Sequence, residues 1–196
     1  HDEAQHLCNT YPRQPAVHNL LAVVRLQSGD NEKALESLQR ALGLKPDFND
    51  ALFNLASALS SLRRYDESST CFMELHQRDR ANPEYLNGLG LALAGSKRHD
   101  EAAKAFAEAL RYKPLYPSAL VNLGNVLNEL GRHNDAVDAY SRALSIDPKD
   151  RKASLNLIKS LFAAKRHAAT LRALAEFRKH HEETLLTLSI AANTLI

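Results

Sequence analysis

Residues 117–150 read PSALVNLGNVLNELGRHNDAVDAYSRALSIDPKD, and this segment decides the fold. Its first half places Leu120, Leu123, Gly124 and Leu127 three and four residues apart, a spacing that puts one apolar stripe on a helix. The second half has a similar stripe, formed by Ala136, Tyr140, Ala143 and Leu144. The segment therefore predicts two helices of about 13 residues, each with one apolar face.

The residues between and after the stripes predict where the helices end. Gly131 is expected to end the first helix in the left-handed conformation that glycine adopts without steric cost. Asn134 and Asp135 suit the start of the second helix, where a polar side chain accepts orphan backbone N–H groups. Pro148 ends the second helix, so the segment predicts an antiparallel hairpin.

The same pattern recurs at a period of 34 residues without insertion. The dipeptide Ala-Leu followed by Pro appears at Ala41-Leu42, Ala109-Leu110 and Ala143-Leu144. We predict a single array over residues 1–196, with four repeats, a degenerate fifth and two partial ones: 15–48, 49–82, 83–116, 117–150, 151–184, 1–14 and 185–196. A single hairpin cannot bury both of its apolar faces, whereas stacked neighbours can.

Small side chains recur in two columns of the array. The eighth place of a repeat and the twentieth hold only alanine or glycine in most repeats: Ala22, Ala56, Gly90 and Gly124 in the eighth, and Ala34, Ala102 and Ala136 in the twentieth. We expect both columns to lie where the two helices of a hairpin approach most closely, because a longer side chain would force the helices apart.

Taken together, these columns resemble the tetratricopeptide repeat: Leu-Gly, a large apolar residue, Ala, Phe or Tyr, then Pro, at period 34. The resemblance covers essentially the whole chain and implies an all-α fold, a right-handed α-α superhelix of stacked antiparallel helix pairs. The chain departs from the pattern at single places: His18, Arg25, Ser68 and Arg80, and in the fifth repeat Ser154, Ile158 and Thr170.

Bulk composition excludes several classes of function. A formal net charge of +2 argues against nucleic-acid binding, and the basic pairs at the hairpin turns lie next to acids. No stretch has the roughly 18 consecutive apolar residues of a membrane span, so no membrane insertion is expected. Two cysteines without a CxxC pair favour a reducing compartment, and hence the cytoplasm.

The sequence offers no set of residues for catalysis. It contains no HExxH, no GxSxG and no glycine-rich loop, so we predict no enzyme activity, no catalytic residues and no cofactor. His99, His133 and His167 share a column but lie a repeat apart, too far to share a metal ion. His180-His181 precedes Glu182-Glu183, but adjacent residues on a helix point in different directions, so no metal site is predicted there either.

Asparagines recur on the face that the resemblance assigns to binding. In this family the first helix of each repeat lines the concave groove, and the resemblance implies that the second, fifth, sixth, ninth, twelfth and thirteenth places face that groove. The predicted peptide-binding residues are Asn54, Asn122 and Asn156 in the sixth place, and Asn125 and Lys159 in the ninth. A carboxamide can offer a donor and an acceptor to an extended peptide. The alternative is that these asparagines bind a neighbouring repeat and tie the stack together.

Three hypotheses for function follow. The first is a scaffold that binds a protein or an extended peptide in the groove. The second is a substrate-recruiting arm of a larger enzyme of the glycosyltransferase or sulfotransferase type, since the asparagines resemble the ladder in such arms. The third is self-association through the apolar C-terminal helix, with Leu185, Leu186, Leu188, Ile190, Leu195 and Ile196.

Overall fold

A computed structural model describes residues 2–180 and 185–194. These residues form twelve helices and no strand, so the predicted all-α class is confirmed. The chain divides into two compact units, His1–Arg98 and His99–Ile196, hereafter unit 1 and unit 2.

Each unit contains six of the described helices. Those of unit 1 are α1 Asp2–Thr10, α2 Pro15–Gln27, α3 Asn31–Leu44, α4 Asn49–Ser61, α5 Tyr65–Arg78 and α6 Pro83–Gly95. Those of unit 2 are α7 His99–Tyr112, α8 Pro117–Glu129, α9 His133–Ile146, α10 Arg151–Ala163, α11 His167–His180 and α12 Leu185–Thr194.

Helix starts recur every 34 residues. The first helices of the repeats (α2, α4, α6, α8 and α10) each have 13 residues, and the second helices (α3, α5, α7, α9 and α11) each have 14. The degenerate fifth repeat keeps this spacing, since α10 and α11 lie where the period places them. That residues 1–196 form one continuous array stays a prediction.

Helices adjacent in sequence pack against each other within each unit. In unit 1 the first helices also contact one another, α2 with α4 and α4 with α6. In unit 2 the corresponding contacts join α8 to α10 and α10 to α12. Side chains on successive first helices can therefore interact directly, as a polar ladder requires.

The small residues lie in the interior of the units. Ala22, Ala34 and Ala56 in unit 1, and Ala102 and Ala136 in unit 2, are all 0% exposed. At Gly124 the space that a side chain would need is occupied by the ring of Tyr140: an added Cβ would lie 2.7 Å from the ring. The Tyr140 ring of α9 can lie against α8 only because Gly124 has no Cβ, so the glycine determines both the position of the ring and the approach of the two helices.

The same fit explains an interruption in the sixth-place column. Gly88 stands where repeats on either side have asparagine, and an added Cβ there would lie 2.4 Å from the ring of Phe72. Phe72 is itself buried and makes an edge-to-face contact with Phe53, with ring centroids 5.7 Å apart. The aromatic ring takes the volume that an asparagine would occupy in another repeat.

All five hairpin turns use a left-handed residue at the fifteenth place of the repeat. Gly29 and Gly131 have φ of 77° and 71°, which confirms the predicted role of Gly131. The other three turns place a side-chain-bearing residue in the same conformation: Arg63, Lys97 and Lys165, with φ between 55° and 63°. Such residues carry a steric cost that glycine avoids.

The prediction that Asn134 or Asp135 caps the second helix is wrong. Helix α9 begins at His133, its N-cap is Arg132, and no side chain caps it. Asp135 lies in the first turn and pairs with the Arg132 guanidinium at 2.6 Å. With Arg132 as its N-cap, α9 starts two residues earlier than a cap at Asn134 would place it. Asp135 therefore lies within the first turn, where its negative charge interacts favourably with the helix dipole.

Two departures from the repeat pattern are accommodated by hydrogen bonds. Arg25, in place of a large apolar residue, donates to the Lys33 carbonyl at 2.9 Å, to Ser37 Oγ at 2.7 Å and to Gln5 Oε1 at 3.2 Å. The guanidinium thereby joins α2 to α3 and α1. Ser68, in place of alanine, is fully buried and donates to the Ala56 carbonyl at 2.8 Å.

Two sequence features extend beyond the described residues. The pair His180-His181 and the acids that follow it fall partly in residues 181–184, and Leu195 and Ile196 follow the last described residue; all of these positions except His180 lie outside the described part. The side chains of Leu185, Leu186 and Leu188 also lie outside it. Ile190 is described, and it packs in the core of unit 2 with Ile158, Leu174 and Phe177.

We predict that Lys97→Gly stabilises the chain. The substitution removes the steric cost of the left-handed conformation at an exposed position, so the free energy of unfolding should rise by roughly 0.5–1 kcal/mol. Urea denaturation of both proteins measures the difference. Gly131→Lys is the matched control and should destabilise by a similar amount; equal stabilities for Gly131→Lys and the wild type would contradict the argument.

We predict opposite effects of two glycine-to-alanine substitutions in unit 1. Gly88→Ala should lower the free energy of unfolding by roughly 1–3 kcal/mol, because the new methyl group clashes with Phe72. Gly43→Ala, in open space on α3, should raise it by roughly 0.5–1 kcal/mol through helix propensity. Thermal and urea unfolding test the pair, and a neutral Gly88→Ala would show that the Phe72 contact is not tight.

Candidate functional site

The predicted binding residues fall in both units, all on first helices. Asn54 lies on α4 in unit 1. Asn122 and Asn125 lie on α8 and Asn156 and Lys159 on α10, all in unit 2.

In unit 1, Asn54 joins two successive first helices. Its Nδ2 atom donates to Oδ1 of Asn19 on α2, at 2.9 Å. The Asn54 side chain is half-buried, and its own carboxamide oxygen accepts no hydrogen bond from the part of the chain that the structure describes. Asn54 thus uses one donor within the stack and keeps an acceptor for another molecule.

Asn54 also lines an open cavity of about 450 Å³ on the first-helix side of unit 1. We call this cavity the unit-1 hollow; its lining residues are Asn19, Asp50, Phe53, Asn54, Asn82, Glu84 and Tyr85. Except for Asn82 and Tyr85, these residues occupy the second, fifth and sixth places of their repeats, which were assigned to the groove. The hollow therefore lies on the predicted binding face.

The hollow has an aromatic wall and a capped rim. The rings of Phe53 and Tyr85 lie 6.0 Å apart between centroids, inclined at 45°. Asn82 is the N-cap of α6, and its Oδ1 accepts from the Glu84 backbone N–H at 2.9 Å. The cap fixes the start of α6, and with it the position of Glu84 and Tyr85 at the edge of the hollow.

Carboxylates make the hollow electronegative. Burial is the first cause that raises the pKa of the Tyr85 phenol, and the charges of Asp79, Asp50 and Glu84 raise it further. Arg78 acts in the opposite direction as the smallest cause. Its guanidinium is already held by Asn49 Oδ1 at 2.8 Å and by Glu74 at 2.6 Å.

In unit 2 the asparagines form a connected hydrogen-bond network. Asn156 Nδ2 on α10 donates to Asn125 Oδ1 on α8 at 2.9 Å. The Tyr140 hydroxyl on α9 donates to the same oxygen at 2.7 Å. Three helices of unit 2 therefore meet at one carboxamide oxygen, so Asn125 and Asn156 both contribute to the packing of the stack.

Asn128 extends this network and was not among the predicted binding residues. Its Nδ2 atom donates to Ser160 Oγ at 2.8 Å, and its Oδ1 lies 3.1 Å from His133 Nδ1. Ser160 is 1% exposed and also donates to the Asn156 carbonyl at 2.7 Å. This twelfth-place asparagine thus joins α8 to α9 and α10.

The network surrounds a fully buried phenol. Burial raises the pKa of Tyr140 to about 12, while the amide N–H groups of Asn128 and Asn156 act against this rise by stabilising the phenolate. The hydroxyl therefore remains protonated at neutral pH and serves as a donor to Asn125.

The remaining two predicted residues differ in their environment. Asn122 is half-buried on α8 and is not free of interactions. Lys159 is exposed on α10 and forms no ion pair within residues 2–180 and 185–194. Of the residues proposed for unit 2, Lys159 is thus the one that presents an unengaged charge.

Sequence reasoning missed the unit-1 hollow, although its signal was present. The predicted site contained asparagines and one lysine, and it omitted the acids and the aromatic residue of the same face. Asp50 and Glu84 share the second place of successive repeats, and Phe53 holds the fifth place. Tyr85 stands in the third place, so its part in the hollow depends on how α6 packs beside α4.

Other residues considered from the sequence are engaged locally. Turn cations pair with the acids that follow them, Arg64 with Glu67 at 2.7 Å as well as Arg132 with Asp135. Cys8 and Cys71 are free thiols, and burial raises the pKa of both. Across the described residues no group of three or more His, Cys, Asp or Glu side chains could hold a metal ion, and no helix is long and apolar enough to cross a membrane.

Comparison with known protein families identifies the class. One family model, described as Tetratricopeptide repeat, matches residues 87–151 and 121–181, and a second with the same description matches residues 25–91. Together they extend over residues 25–181. The chain belongs to the tetratricopeptide repeat family, whose members are generally non-catalytic scaffolds.

One curated relative matches part of the chain. The uncharacterized protein MJ0572 of Methanocaldococcus jannaschii is 52% identical over 44 residues, which are 22% of this chain and 51% of that protein. The chain thus matches about half the length of this curated relative.

Three solved structures align with TM-scores of 0.77. They are PilF of Pseudomonas aeruginosa, at 21% identity, MamA, at 18%, and YrrB, described as a TPR protein with an unusual peptide-binding site, at 16%. The alignments cover 92%, 87% and 96% of this chain, and 82%, 97% and 97% of those chains. At these identities the likeness shows the shared fold.

We predict that Tyr140 makes the chain sensitive to alkaline pH. Its pKa is higher in the folded chain than the unfolded value of about 10, so the folded state holds the proton more tightly. The resulting stability is present below about pH 10 and is lost as the pH rises towards 12, by at most roughly 3 kcal/mol.

Unfolding free energies measured between pH 8 and pH 11.5 test this prediction. Tyr140→Phe should cost about 1 kcal/mol near pH 8, since Asn125 loses a donor, and should decline less steeply at alkaline pH. Tyr112→Phe, at a ring that is 48% exposed, is the matched control and should follow the wild type. Equal alkaline slopes in all three proteins would contradict the assignment.

Proposed function

We propose that this chain is a protein-interaction scaffold whose first-helix face binds an extended segment of a partner protein. The observation that carries the proposal is the pairing of carboxamides across successive first helices within each unit. In unit 1 this pair lines an open hollow on the face assigned to the groove. The peptide-binding site named for the structural neighbour YrrB supports the same use of this fold.

The chemistry of the carboxamides suits backbone recognition. An extended peptide exposes alternating N–H and C=O groups, and an asparagine side chain can satisfy either. Asn54 has an unengaged acceptor, and Asn125 accepts two hydrogen bonds but donates none among the described residues. Both therefore retain capacity for a partner while they hold the stack, so the two roles considered for the asparagines are compatible.

The binding free energy that the asparagines alone can contribute is small. A net hydrogen bond contributes roughly 0.5–1.5 kcal/mol, and micromolar affinity requires roughly 8 kcal/mol. A few backbone contacts, less the entropy of ordering the peptide, give weak and sequence-tolerant binding. Specificity must come from side-chain subsites on the first helices, for which the unit-1 hollow and, in unit 2, Lys159 are candidates.

A second candidate function uses the same asparagine face. In a substrate-recruiting arm of a larger glycosyltransferase- or sulfotransferase-type enzyme, weak backbone capture would deliver many different sequences to a catalytic domain. The carboxamide pairs Asn54–Asn19 and Asn156–Asn125 favour it, because they join successive first helices in each unit. In both functions the chain itself performs no catalysis, needs no cofactor and does not bind nucleic acid.

Selection from a random peptide library displayed on phage tests the proposed function. The wild-type chain should enrich peptides that bind with micromolar affinity, and an Asn54→Ala, Asn122→Ala, Asn156→Ala triple variant should bind them roughly 10- to 100-fold more weakly. Affinity is measured by fluorescence anisotropy with synthetic copies of the selected peptides.

The matched control is Asn134→Ala, an exposed asparagine on the second helix α9, which should bind the peptides like the wild type. Melting curves of all variants separate a binding loss from unfolding. The proposal fails if the wild type enriches no peptide, or if the folded triple variant binds the selected peptides as tightly as the wild type.

A further inference from the structure

The unit-1 hollow differs from the rest of the first-helix face in its chemistry. It combines two carboxylates, two aromatic rings and three carboxamides around one open cavity of about 450 Å³. The cavity has ample room for the planar end of a long side chain. A cavity in unit 2, lined by Asp100, Asp138 and others, has mixed charges and no aromatic residue.

The two carboxylates of the hollow have no cationic partner in the described part of the chain. Asp50 and Glu84 form no ion pair with any residue that the structure describes, and both side chains are exposed. The neighbouring cation Arg78 is held by Asn49, Glu74 and the Pro46 carbonyl. Both acids also lie in first turns of helices, where they stabilise the helix dipole, so a test must separate stability from binding.

The aromatic wall adds a second preference for a cation. The faces of Phe53 and Tyr85 carry the negative part of the ring quadrupole, which attracts ammonium and especially guanidinium groups. The Asn54 carboxamide oxygen is an acceptor with no described donor, and it lines the same cavity. These unengaged groups of the hollow therefore all favour a positively charged donor.

From this combination we propose that the unit-1 hollow binds an arginine side chain of the partner segment. The inference rests on the proposed function and names the side chain that gives it specificity. The guanidinium stacks on the Phe53–Tyr85 wall and donates to Asp50, Glu84 and the Asn54 oxygen. Arginine fits better than lysine, because its planar group can stack on a ring and donate along its edge at the same time.

A titration followed by NMR tests the subsite without a selected partner. The 15N-labelled chain is titrated with the blocked tripeptide acetyl-Gly-Arg-Gly-amide and, separately, with the citrulline analogue, which has nearly the same shape but no charge. The arginine probe should shift the side-chain amide signals of Asn19, Asn54 and Asn82, and should bind at least about fivefold more tightly than citrulline. Raising the salt concentration should weaken the arginine probe alone.

Variants connect the binding to the carboxylates. Asp50→Asn with Glu84→Gln keeps the shape of the hollow and should reduce affinity for the arginine probe at least about fivefold. Asp100→Asn with Asp138→Asn removes the same charge from the unit-2 cavity and should leave binding unchanged. Melting curves confirm folding, and the arginine–citrulline comparison on the wild type needs no variant at all.

The outcomes are distinct. Equal shifts with arginine and citrulline, or full affinity in a folded Asp50→Asn, Glu84→Gln variant, would overturn the arginine subsite. Tighter binding of the corresponding lysine probe would overturn the choice of arginine. If the phage library yields binders without enriched arginine, and the Asp50→Asn, Glu84→Gln variant binds them normally, the proposed function stands and the arginine subsite is wrong. If the arginine probe binds but the library yields no peptide, the arginine subsite stands and the proposed function is wrong.

Discussion

The close approach of neighbouring helices is the constraint on which the rest of the structure depends. At Gly88 and Gly124 the absence of a side chain lets an aromatic ring, Phe72 or Tyr140, lie against the helix backbone. The alanines of the eighth and twentieth places, all fully buried, permit the same approach elsewhere. Because each hairpin leaves apolar surface uncovered, this tight stacking is also what removes the surface from water.

Tight packing on the first helices determines where polar groups can lie. The Tyr140 ring that fills the space beside Gly124 carries its hydroxyl into the carboxamide network of Asn125, Asn128 and Asn156. Because a buried polar group must be paired, the carboxamides that bind the buried Tyr140 hydroxyl are part of the packing. A partner that binds this face meets side chains whose positions are already fixed, which lowers the entropy lost on binding.

In unit 1 the close approach of helices is achieved with a different aromatic ring, and this affects the shape and charge of the unit-1 hollow. Phe72 takes the volume next to Gly88, and Phe53 packs edge-to-face against it, which leaves the Phe53 ring beside Tyr85 and the hollow open. The first-turn acids Asp50 and Glu84 stabilise their helices and give the hollow its negative charge. Residues that serve the fold thus also define the charge of the proposed subsite.

The sequence by itself determined the repeat. Local spacing and sterics predicted the period, the helix pairs, the left-handed turn at Gly131 and the columns of small residues, and the structure contains all four. It also predicted Asn54 and Asn156 as groove residues, and this stays a prediction. It did not determine that Arg132 replaces a polar cap, that Asn156 donates to Asn125, or that Phe53 and Tyr85 share a cavity with two acids. Those features join residues about one repeat apart or depend on turn geometry, so only the packing of one helix on the next decides them.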